Sequence, residues 1–464
     1  MRKPSQRFHS RSSLLLAAWL LWFAPPAALA QGHARAHERH ALLILVSIDG
    51  LKPEAILEAE SRGLKVPNLR ALLSEGTYAT GVRGVLPTVT YPSHMTLLTG
   101  ASPARHGILS NTTFDPLNRN AKGWYWYAED GRAETLWDAA AAAHLTTASV
   151  YWPTSVGANI SYNLPQIWRT GTMDDLKLQR ALSTPGLEQD LSAALGPFPG
   201  GKEESVAADE IRARFDLRLL ETRHLDFATF YFTGLDTEQH DFGPFSVAAN
   251  AALERLDTLV GQLRVAAEHQ APGRTTFCVV SDHGFAPVAH DVNLYVAFLN
   301  AGLFTMDDKR RISSWKAMPW PAAGSAAIML ADPKDSAART QVSALLTQLA
   351  NDPDSGVERI LSREEIATRG GFPDAEFLVA FRPGYEFGDA YDGPVVGRPT
   401  NLGTHGYLPE HPEMRASFFI VGPHITAGHS LGEIDMRRIA PTLAGILHLH
   451  LRDAELEPLR LDAH

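Results

Sequence analysis

The chain has 464 residues, a formal net charge of −10 at pH 7 and a hydrophobic share of 45%. That share is typical of a globular protein with a large core. The excess of acidic residues argues against binding to duplex nucleic acid or to an anionic membrane surface. A single cysteine, Cys278, excludes an intramolecular disulfide, and its place in an apolar run predicts a buried packing role.

The N-terminal segment 1–30 has the pattern of a secretory signal peptide. Four basic residues precede an apolar run from 14 to 24 that is short for a bilayer span, and the small-residue cleavage site Ala28-Leu29-Ala30 follows. An uncleaved anchor is the alternative interpretation. We expect cleavage, a mature chain without a membrane span, and a periplasmic or secreted protein.

Aliphatic runs alternate with helical patterns along the rest of the chain. The runs, typical of strands buried on both faces of a parallel sheet, are 41–48, 146–151, 227–232, 275–281 and 416–421. The helical patterns are 67–75, 134–144, 203–223, 246–268 and 435–448. This alternation predicts an α/β fold with a mainly parallel central sheet flanked by helices. We expect a catalytic domain over 40–450, with insertions at 111–170 and 302–398, the latter a smaller cap or subdomain.

Side chains of metal-ligand type lie beside glycine turns at several points of this pattern. They are Asp49, Asp236, His240, Asp282, His283 and His405. Taken alone, Asp49 fits an ordinary strand-end turn. Asp236 and His240 are four residues apart, so one helical turn or a tight loop can bring both onto one ion. The carboxyl ends of parallel strands form the ligand crevice of such sheets, so together these residues predict a site for two zinc-type ions. His94 shows no comparable pairing with an acid and is expected to be structural or solvated.

Thr90 is the candidate nucleophile. It directly precedes a helical pattern over 95–99, and a hydroxyl at a helix N-terminus lies where an anion is favoured. Beside a metal such a hydroxyl can ionise and attack. An ordinary N-cap threonine is the alternative interpretation, and Thr88 and Ser93 are rival nucleophiles.

Six short motifs occur in a fixed order between residues 41 and 447. They are Ile-Asp-Gly, Pro-Thr-x-Thr-x-Pro-x-His, Thr-Gly-x-x-Pro-x-x-His-Gly-Ile, Asp-x-x-x-His, Ser-Asp-His-Gly and Gly-x-His-Gly. Their order resembles the nucleotide pyrophosphatase/phosphodiesterase family of the alkaline phosphatase superfamily. The resemblance implies an alkaline phosphatase-like sandwich and a hydrolase that cleaves phosphodiester or pyrophosphate bonds in small nucleotide-type substrates.

The resemblance also implies two zinc ions and a role for each site residue. One zinc would be held by Asp236, His240 and His405, and the other by Asp49, Asp282 and His283 together with Thr90. Thr90 would form a covalent phosphoryl-threonine intermediate. Asn111 would donate to a phosphoryl oxygen, and Tyr91 would stack on a nucleobase.

The chain departs from the family pattern within 151–165. Trp152-Pro153 is followed by Thr154-Ser155-Val156, where the family often has Gly-Ser and an acid, so we expect substrate choice to be decided around Val156. The Lys/Arg pair of related threonine-dependent phosphate monoesterases is also missing from this segment, which favours a diester or pyrophosphate. The alternatives are a phosphate monoesterase or phosphonate hydrolase on the same scaffold and, in another class, a non-catalytic secreted protein that binds metal or nucleotide.

Overall fold

The computed structural model describes residues 41–120 and 123–462. The strands are β1 Leu42–Ile48, β2 Thr77–Tyr78, β3 Gly81–Arg83, β4 Thr147–Val150, β5 Tyr162–Leu164, β6 Phe227–Phe232, β7 Thr275–Val280, β8 Ala286–Val292, β9 Phe304–Met306, β10 Ile312–Trp315, β11 Ala317–Ala322, β12 Ser325–Leu330, β13 Val357–Ser362, β14 Phe377–Phe381, β15 Gly384–Phe387, β16 Val396–Gly397, β17 Gly403–Thr404, β18 Phe418–Val421, β19 His429–Ser430 and β20 Glu433–Asp435. The predicted signal segment 1–30 lies outside the described residues.

The α-helices are α1 Glu54–Leu57, α2 Ala59–Arg62, α3 Pro67–Glu75, α4 Thr90–Thr99, α5 Pro103–His106, α6 Leu136–Ala142, α7 Asp174–Leu182, α8 Leu187–Leu195, α9 Val206–Thr222, α10 Gly234–Phe242, α11 Val247–Gln270, α12 Leu294–Asn300, α13 Ser336–Asn351, α14 Arg363–Thr368 and α15 Ile439–Ile446. Short 3-10 helices cover Ala128–Asp130, Pro412–Met414 and Met436–Arg438. Within residues 41–120 and 123–462, the helices include none that is long and apolar enough to cross a membrane.

An eight-stranded sheet lies at the centre of the described chain. Its order is β19-β2-β18-β7-β1-β6-β4-β5. The neighbours from β7 to β5 pair in parallel, whereas β18 is antiparallel to β7 and β2. Every residue of β1, β6 and β7 is buried, as expected for strands covered on both faces. The predicted α/β class with a mainly parallel, helix-flanked sheet is confirmed.

Helices α9 and α11 show why the helical patterns form where they do. Ser205 and Ser246 each precede the helix and accept a hydrogen bond from the backbone N–H three residues on, which stabilises the free amides of the first turn. In α11 the buried positions Leu253, Leu256 and Val260 recur at helical spacing and join the main core. The core therefore fixes which face of each helix meets the sheet.

A separate four-stranded antiparallel sheet lies within 302–398. Its order is β11-β12-β14-β13. Val342 and Leu346 of α13 pack with Ile328 and Val379 of this sheet in a core distinct from the main one. This arrangement accords with a subdomain, and its status as an insertion into the catalytic domain 40–450 remains a prediction.

The segment 111–170, which was expected to be an insertion, contains two strands of the main sheet. Strands β4 and β5 lie inside it, and β4 pairs in parallel with β6 while β5 pairs with β4. Residues 147–150 and 162–164 thus belong to the main sheet itself. The aromatic-rich part before residue 128 lies outside that sheet and packs near the cavity described below.

Candidate active site with two sets of acid and imidazole groups

Asp49, Asp282 and His283 form a cluster that we name the inner set. Asp49 follows β1, and Asp282 and His283 follow β7, the strand paired beside it. The Nε2 atom of His283 lies 3.3 Å from an oxygen of Asp49 and 3.2 Å from an oxygen of Asp282. The backbone N–H of Gly50 donates to Asp282 over 3.1 Å. Parallel pairing of two adjacent strands therefore brings these three side chains together.

Asp236, His240 and His405 form the outer set. Asp236 and His240 lie one turn apart on the short helix α10, with His240 Nε2 3.4 Å from an Asp236 oxygen. His405 follows β17, and its Nε2 atom lies 4.0 Å from the other Asp236 oxygen. The ring of His405 stacks on that of His283 at 3.7 Å, so the two sets are contiguous.

Each of the three histidines is oriented by its backbone contacts. The Nδ1 atoms of His240, His283 and His405 lie 2.9, 3.1 and 3.2 Å from the carbonyl oxygens of Gly403, Gly284 and Thr88. Because a carbonyl oxygen only accepts, Nδ1 carries the proton in each ring. The Nε2 lone pair of each ring is left free for a cation, which is the usual arrangement of histidine ligands.

The carboxylates offer unpaired oxygens at the same place. One oxygen each of Asp49, Asp236 and Asp282 is buried without a hydrogen-bond partner. Two groups of three residues each have ligand atoms that all lie within 4.8 Å of one another. The first group is Asp49, Asp282 and His283, and the second is Asp236, His283 and His405. The second group contains His283 instead of the expected His240. Three orphaned carboxylate oxygens and free imidazole nitrogens fit divalent cations of the zinc type.

The pKa shifts of the carboxyl and imidazole groups in both sets arise mainly from burial. Burial raises the pKa of Asp49, Asp236 and Asp282 well above the usual range, and their mutual repulsion raises it further. Burial lowers the pKa of His405 to about 3 and also lowers the pKa of His283 and His240. A bound cation would stabilise both the neutral imidazoles and the crowded carboxyls. Its positive charge would offset the energetic cost of placing several carboxylates close together.

Thr90 is the first residue of α4 and lines a cavity together with residues of both sets. Its Oγ1 atom lies 3.4 Å from Nε2 of His283. The cavity has a volume of about 340 Å³ and includes Asp49, Asp236, His240 and His405 in its wall. A larger groove of about 1020 Å³ at α9 and α11 contains none of the predicted site residues.

The rival hydroxyls are buried away from the cavity wall. Thr88 Oγ1 donates to the carbonyl of Tyr407 over 2.7 Å, and Ser93 is fully buried. Neither belongs to the cavity lining, whereas Thr90 does. Among the three hydroxyls of this motif, the geometry favours Thr90.

Asn111 lies beside Thr90 with its amide orientation fixed. The backbone N–H of Tyr91 donates to the side-chain oxygen of Asn111 over 2.9 Å. Asn111 also lines the cavity. Since the oxygen is occupied by a donor, the NH₂ group of Asn111 is the part available to a phosphoryl oxygen.

Tyr91, which the resemblance implies would stack on a nucleobase, is almost completely buried. Its ring is 1% exposed, and its hydroxyl donates to Gln166 over 2.7 Å. Trp124, half-buried, packs against Tyr91 at 5.3 Å between ring centroids and also lines the cavity. Both residues line the cavity, and Trp124 is the more exposed of the two.

Val156, around which substrate choice was expected to be decided, is buried. It is 5% exposed and packs in an apolar cluster with Trp126, Ile167 and Trp168. It does not belong to the cavity lining, which instead includes Lys202 and Glu204.

Tyr231 lies near the ligands and escaped the sequence analysis, and His94 has an acidic neighbour that its sequence position does not indicate. Tyr231, in β6, donates its hydroxyl to Asp49, and His94 lies with Nδ1 3.6 Å from Asp282. His94 Nδ1 also lies 2.8 Å from the carbonyl of Thr90, and burial lowers the pKa of His94 to about 3, so the ring is neutral. His94 was expected to be structural or solvated, and the structure places it fully buried beside Asp282. Strand register and helix packing, invisible in spacing alone, create both contacts.

Comparisons with known proteins agree with the motif order. A family model described as type I phosphodiesterase / nucleotide pyrophosphatase matches residues 43–408. Human ectonucleotide pyrophosphatase/phosphodiesterase family member 1 is 27% identical over 250 residues, which are 52% of this chain and 23% of that protein. Family member 7 of Rattus norvegicus is 25% identical over 307 residues, 64% of this chain and 61% of that protein. A venom phosphodiesterase of Naja atra is 26% identical over 258 residues, 53% of this chain and 26% of that protein.

Solved structures show the same fold. Murine ectonucleotide pyrophosphatase / phosphodiesterase 5, as an inactive variant in complex with AMP, has a TM-score of 0.64 at 18% identity and covers 91% of this chain and 97% of that one. The human counterpart has a TM-score of 0.62 at the same identity. The chain spans less than two thirds of the length of the three relatives named above. Because the family model matches most of the sequence, the resemblance is confirmed and the protein belongs to the type I phosphodiesterase / nucleotide pyrophosphatase family.

Proposed function

We propose that the protein is a hydrolase that cleaves phosphodiester or pyrophosphate bonds in small nucleotide-type substrates, with Thr90 as the nucleophile. The position of Thr90 carries this proposal: its hydroxyl lies at a helix N-terminus, in the cavity wall, and 3.4 Å from an imidazole of the inner set. The AMP complex of the murine relative supports a nucleotide as ligand. Family membership supports the bond type.

We propose that the inner set with Thr90 and the outer set each hold one zinc or similar divalent ion. Mixed nitrogen and oxygen ligands suit zinc. When bound, two such cations supply Lewis-acid chemistry that favours an ionised hydroxyl and a negatively charged leaving oxygen. The unpaired oxygens of Asp49, Asp236 and Asp282 support this assignment. His240 is kept as a ligand of the outer set because its Nε2 atom adjoins Asp236.

The chain's own residues account for the remaining steps. Thr90 loses its proton to solvent water, its oxygen bonds to phosphorus, and the bond from phosphorus to the leaving oxygen breaks. In an in-line displacement the leaving oxygen departs opposite Thr90, on the side of the outer set. The amide of Asn111 donates to the equatorial oxygens, where negative charge accumulates. A water molecule then displaces Thr90 from phosphorus and regenerates the hydroxyl.

Substrate comparison and stereochemistry test the proposal together. Purified zinc-loaded protein is assayed with bis-p-nitrophenyl phosphate, thymidine 5′-p-nitrophenyl phosphate and p-nitrophenyl phosphate. We expect the diesters to be preferred, and a clear preference for the monoester would select a phosphate monoesterase instead. A substrate chiral at phosphorus should react with net retention, because two displacements each invert, and inversion would exclude the covalent route.

Two variants, Thr90→Ala and Ser93→Ala, test which hydroxyl is the nucleophile. Thr90→Ala is expected to abolish detectable turnover while zinc binding by the acids and imidazoles is largely kept. Ser93→Ala, three residues along the same helix, is the matched control and should retain activity. Equal activity of wild type and Thr90→Ala would remove Thr90 from the mechanism. A zinc-loaded wild type without turnover on any of the three substrates would favour a binding protein.

A further inference from the structure

Lys202 is the one cationic side chain among the described residues that line the catalytic cavity. The same wall contains the acids Asp49, Asp236, Asp241 and Glu204. The Lys202 side chain is 52% exposed, and its ammonium lies 3.7 Å from Glu204. It also lies 5.4 Å from the ring centroid of Trp124, within the range of a cation–π contact.

The segment that carries Lys202 is fixed to the outer side of the site. Thr237, the residue after Asp236, donates its hydroxyl to the carbonyl of Glu204 over 2.9 Å. Arg212, fully buried, donates to the carbonyl of Glu203. The Thr237 contact ties the segment just before α9 to α10, the helix of Asp236 and His240, and the Arg212 contact ties it to α9. Lys202 is therefore placed beside the outer set.

This placement gives the Lys202 charge a specific partner in the reaction. If Thr90 attacks from the inner side, the leaving part of the substrate lies toward the outer set. A leaving group that carries its own phosphate would bring two or more negative charges to the point where Lys202 is the available donor. Charge-assisted hydrogen bonds between an ammonium and phosphate oxygens are the strong ones. A leaving group without phosphate would have no such partner.

We propose that Lys202 binds a phosphate of the leaving group, so that the preferred substrates are nucleotides cleaved at a pyrophosphate bond rather than diesters with a phosphate-free leaving group. This inference rests on the proposed function. Glu204 pairs with Lys202 in the absence of substrate and is displaced when the phosphate binds. With a nucleoside triphosphate, the bond from Thr90 oxygen to the α-phosphorus forms, and the bond to the bridging oxygen breaks. The electron pair goes to pyrophosphate, which Lys202 contacts.

The test compares two substrates that differ in the leaving group. The ratio of kcat/KM for ATP to kcat/KM for thymidine 5′-p-nitrophenyl phosphate is measured for wild type and for Lys202→Gln. We expect the ratio to fall about tenfold in the variant, the effect of losing one charge-assisted contact. Lys202→Arg should restore most of the ratio, and the exposed Lys309→Gln, in the subdomain, is the matched control. An unchanged ratio, including equal losses on both substrates, would overturn the proposal.

Binding of inorganic pyrophosphate gives a readout that does not depend on turnover. Calorimetry on zinc-loaded protein should show about tenfold weaker pyrophosphate binding for Lys202→Gln, with AMP binding changed much less. Glu204→Gln should tighten pyrophosphate binding, because the competing carboxylate is gone. If the wild type hydrolyses neither substrate, the proposed function fails while this measurement still decides on Lys202. Equal pyrophosphate affinity in wild type and Lys202→Gln would contradict the role of Lys202.

Discussion

The inner and outer sets use similar side chains but are built in different ways. The inner residues follow two adjacent strands of the central sheet, and their side chains are 5%, 0% and 0% exposed for Asp49, Asp282 and His283. The outer residues come from a short helix and from a loop that returns after the subdomain. There, Asp236, His240 and His405 are 18%, 25% and 6% exposed. One set is thus part of the sheet's core, and the other is assembled at the surface of the cavity.

The two sets differ in how firmly the fold positions their side chains. Parallel strand pairing fixes the inner ligands in the same register that holds the core, so they can move only if the sheet moves. The outer ligands depend on contacts between α10, the 400–406 loop and the segment of Lys202 and Glu204. We therefore expect chemistry to depend most on the inner set and substrate choice most on the outer set.

The largest expected effect comes from removing one acid of either set. Asp282→Asn and Asp236→Asn should each lower kcat/KM more than the roughly 10–100-fold that loss of a ligand's supporting partner costs. Metal analysis should show loss of one ion in each case. The exposed Asp308→Asn is the control, and full activity with one ion missing would contradict the two-ion assignment.

The two acid variants should also differ in the stability of the metal-free protein. Burial and the neighbouring Asp49 disfavour a charged Asp282, so Asp282→Asn relieves repulsion in the core. Its amide oxygen can still accept from Gly50. We expect a higher melting temperature than wild type without metal and a lower one with zinc. The smaller burial of Asp236 predicts a weaker stabilisation by Asp236→Asn.

Gly406→Ala should selectively damage the outer set. Gly406 has φ +82°, and a Cβ there would lie 2.1 Å from the carbonyl oxygen of Ala322, so the neighbouring His405 must shift. A displacement near 1 Å in a catalytic group can cost about 100-fold in rate. Gly63→Ala is the matched control, since Gly63 has φ +70° with open space around it. Activity and metal content are measured, and equal effects of both variants would mean that only backbone strain matters.

The sequence predicted the inner set better than its surroundings, for a physical reason. An apolar run that ends in Asp49-Gly50 or Asp282-His283-Gly284 places its ligands at a sheet edge almost unavoidably, because β1 and β7 are adjacent. His405 could be joined to the site only through its motif and the family resemblance. Nothing local in the sequence indicates that the chain returns from β14 and β15 to lie against α10.

Contacts that depend on tertiary packing were the ones missed. Tyr231 looks like one more aromatic residue in an apolar strand, and only the register Ser47↔Tyr231 places it beside Asp49. Tyr91 was expected from the family resemblance to stack on a nucleobase, and only the fold shows that it is buried and packs against Trp124. Lys202 stands in an ordinary charged stretch, and its place in the cavity follows from how α9 begins. The spacing of residues predicts which side chains share one face of a segment. The roles of these residues depend instead on which other segment packs against that face.

Tyr231→Phe should have a smaller effect than the preceding variants, and the effect should arise at the inner set. The hydroxyl donates to Asp49 and leaves the other Asp49 oxygen unpaired for a cation. Its loss should lower kcat/KM about tenfold and weaken metal binding, as for other partners of ligands. Tyr78→Phe on β2, four strands away in the sheet order, should have no effect. A metal affinity equal to wild type would show that the hydroxyl does not orient Asp49.

The smallest expected effect concerns the order in which the two ions leave. Because the outer side chains are more exposed, a chelator reaches them by local opening that leaves the central sheet intact, whereas the inner set must wait for a larger opening. Zinc release into a coloured indicator should therefore show two phases, with activity lost in the first. Asp236→Asn should remove the fast phase and Asp282→Asn the slow one. A single phase in the wild type, with both ions leaving together, would mean that the stacked rings of His283 and His405 couple the two sets into one unit.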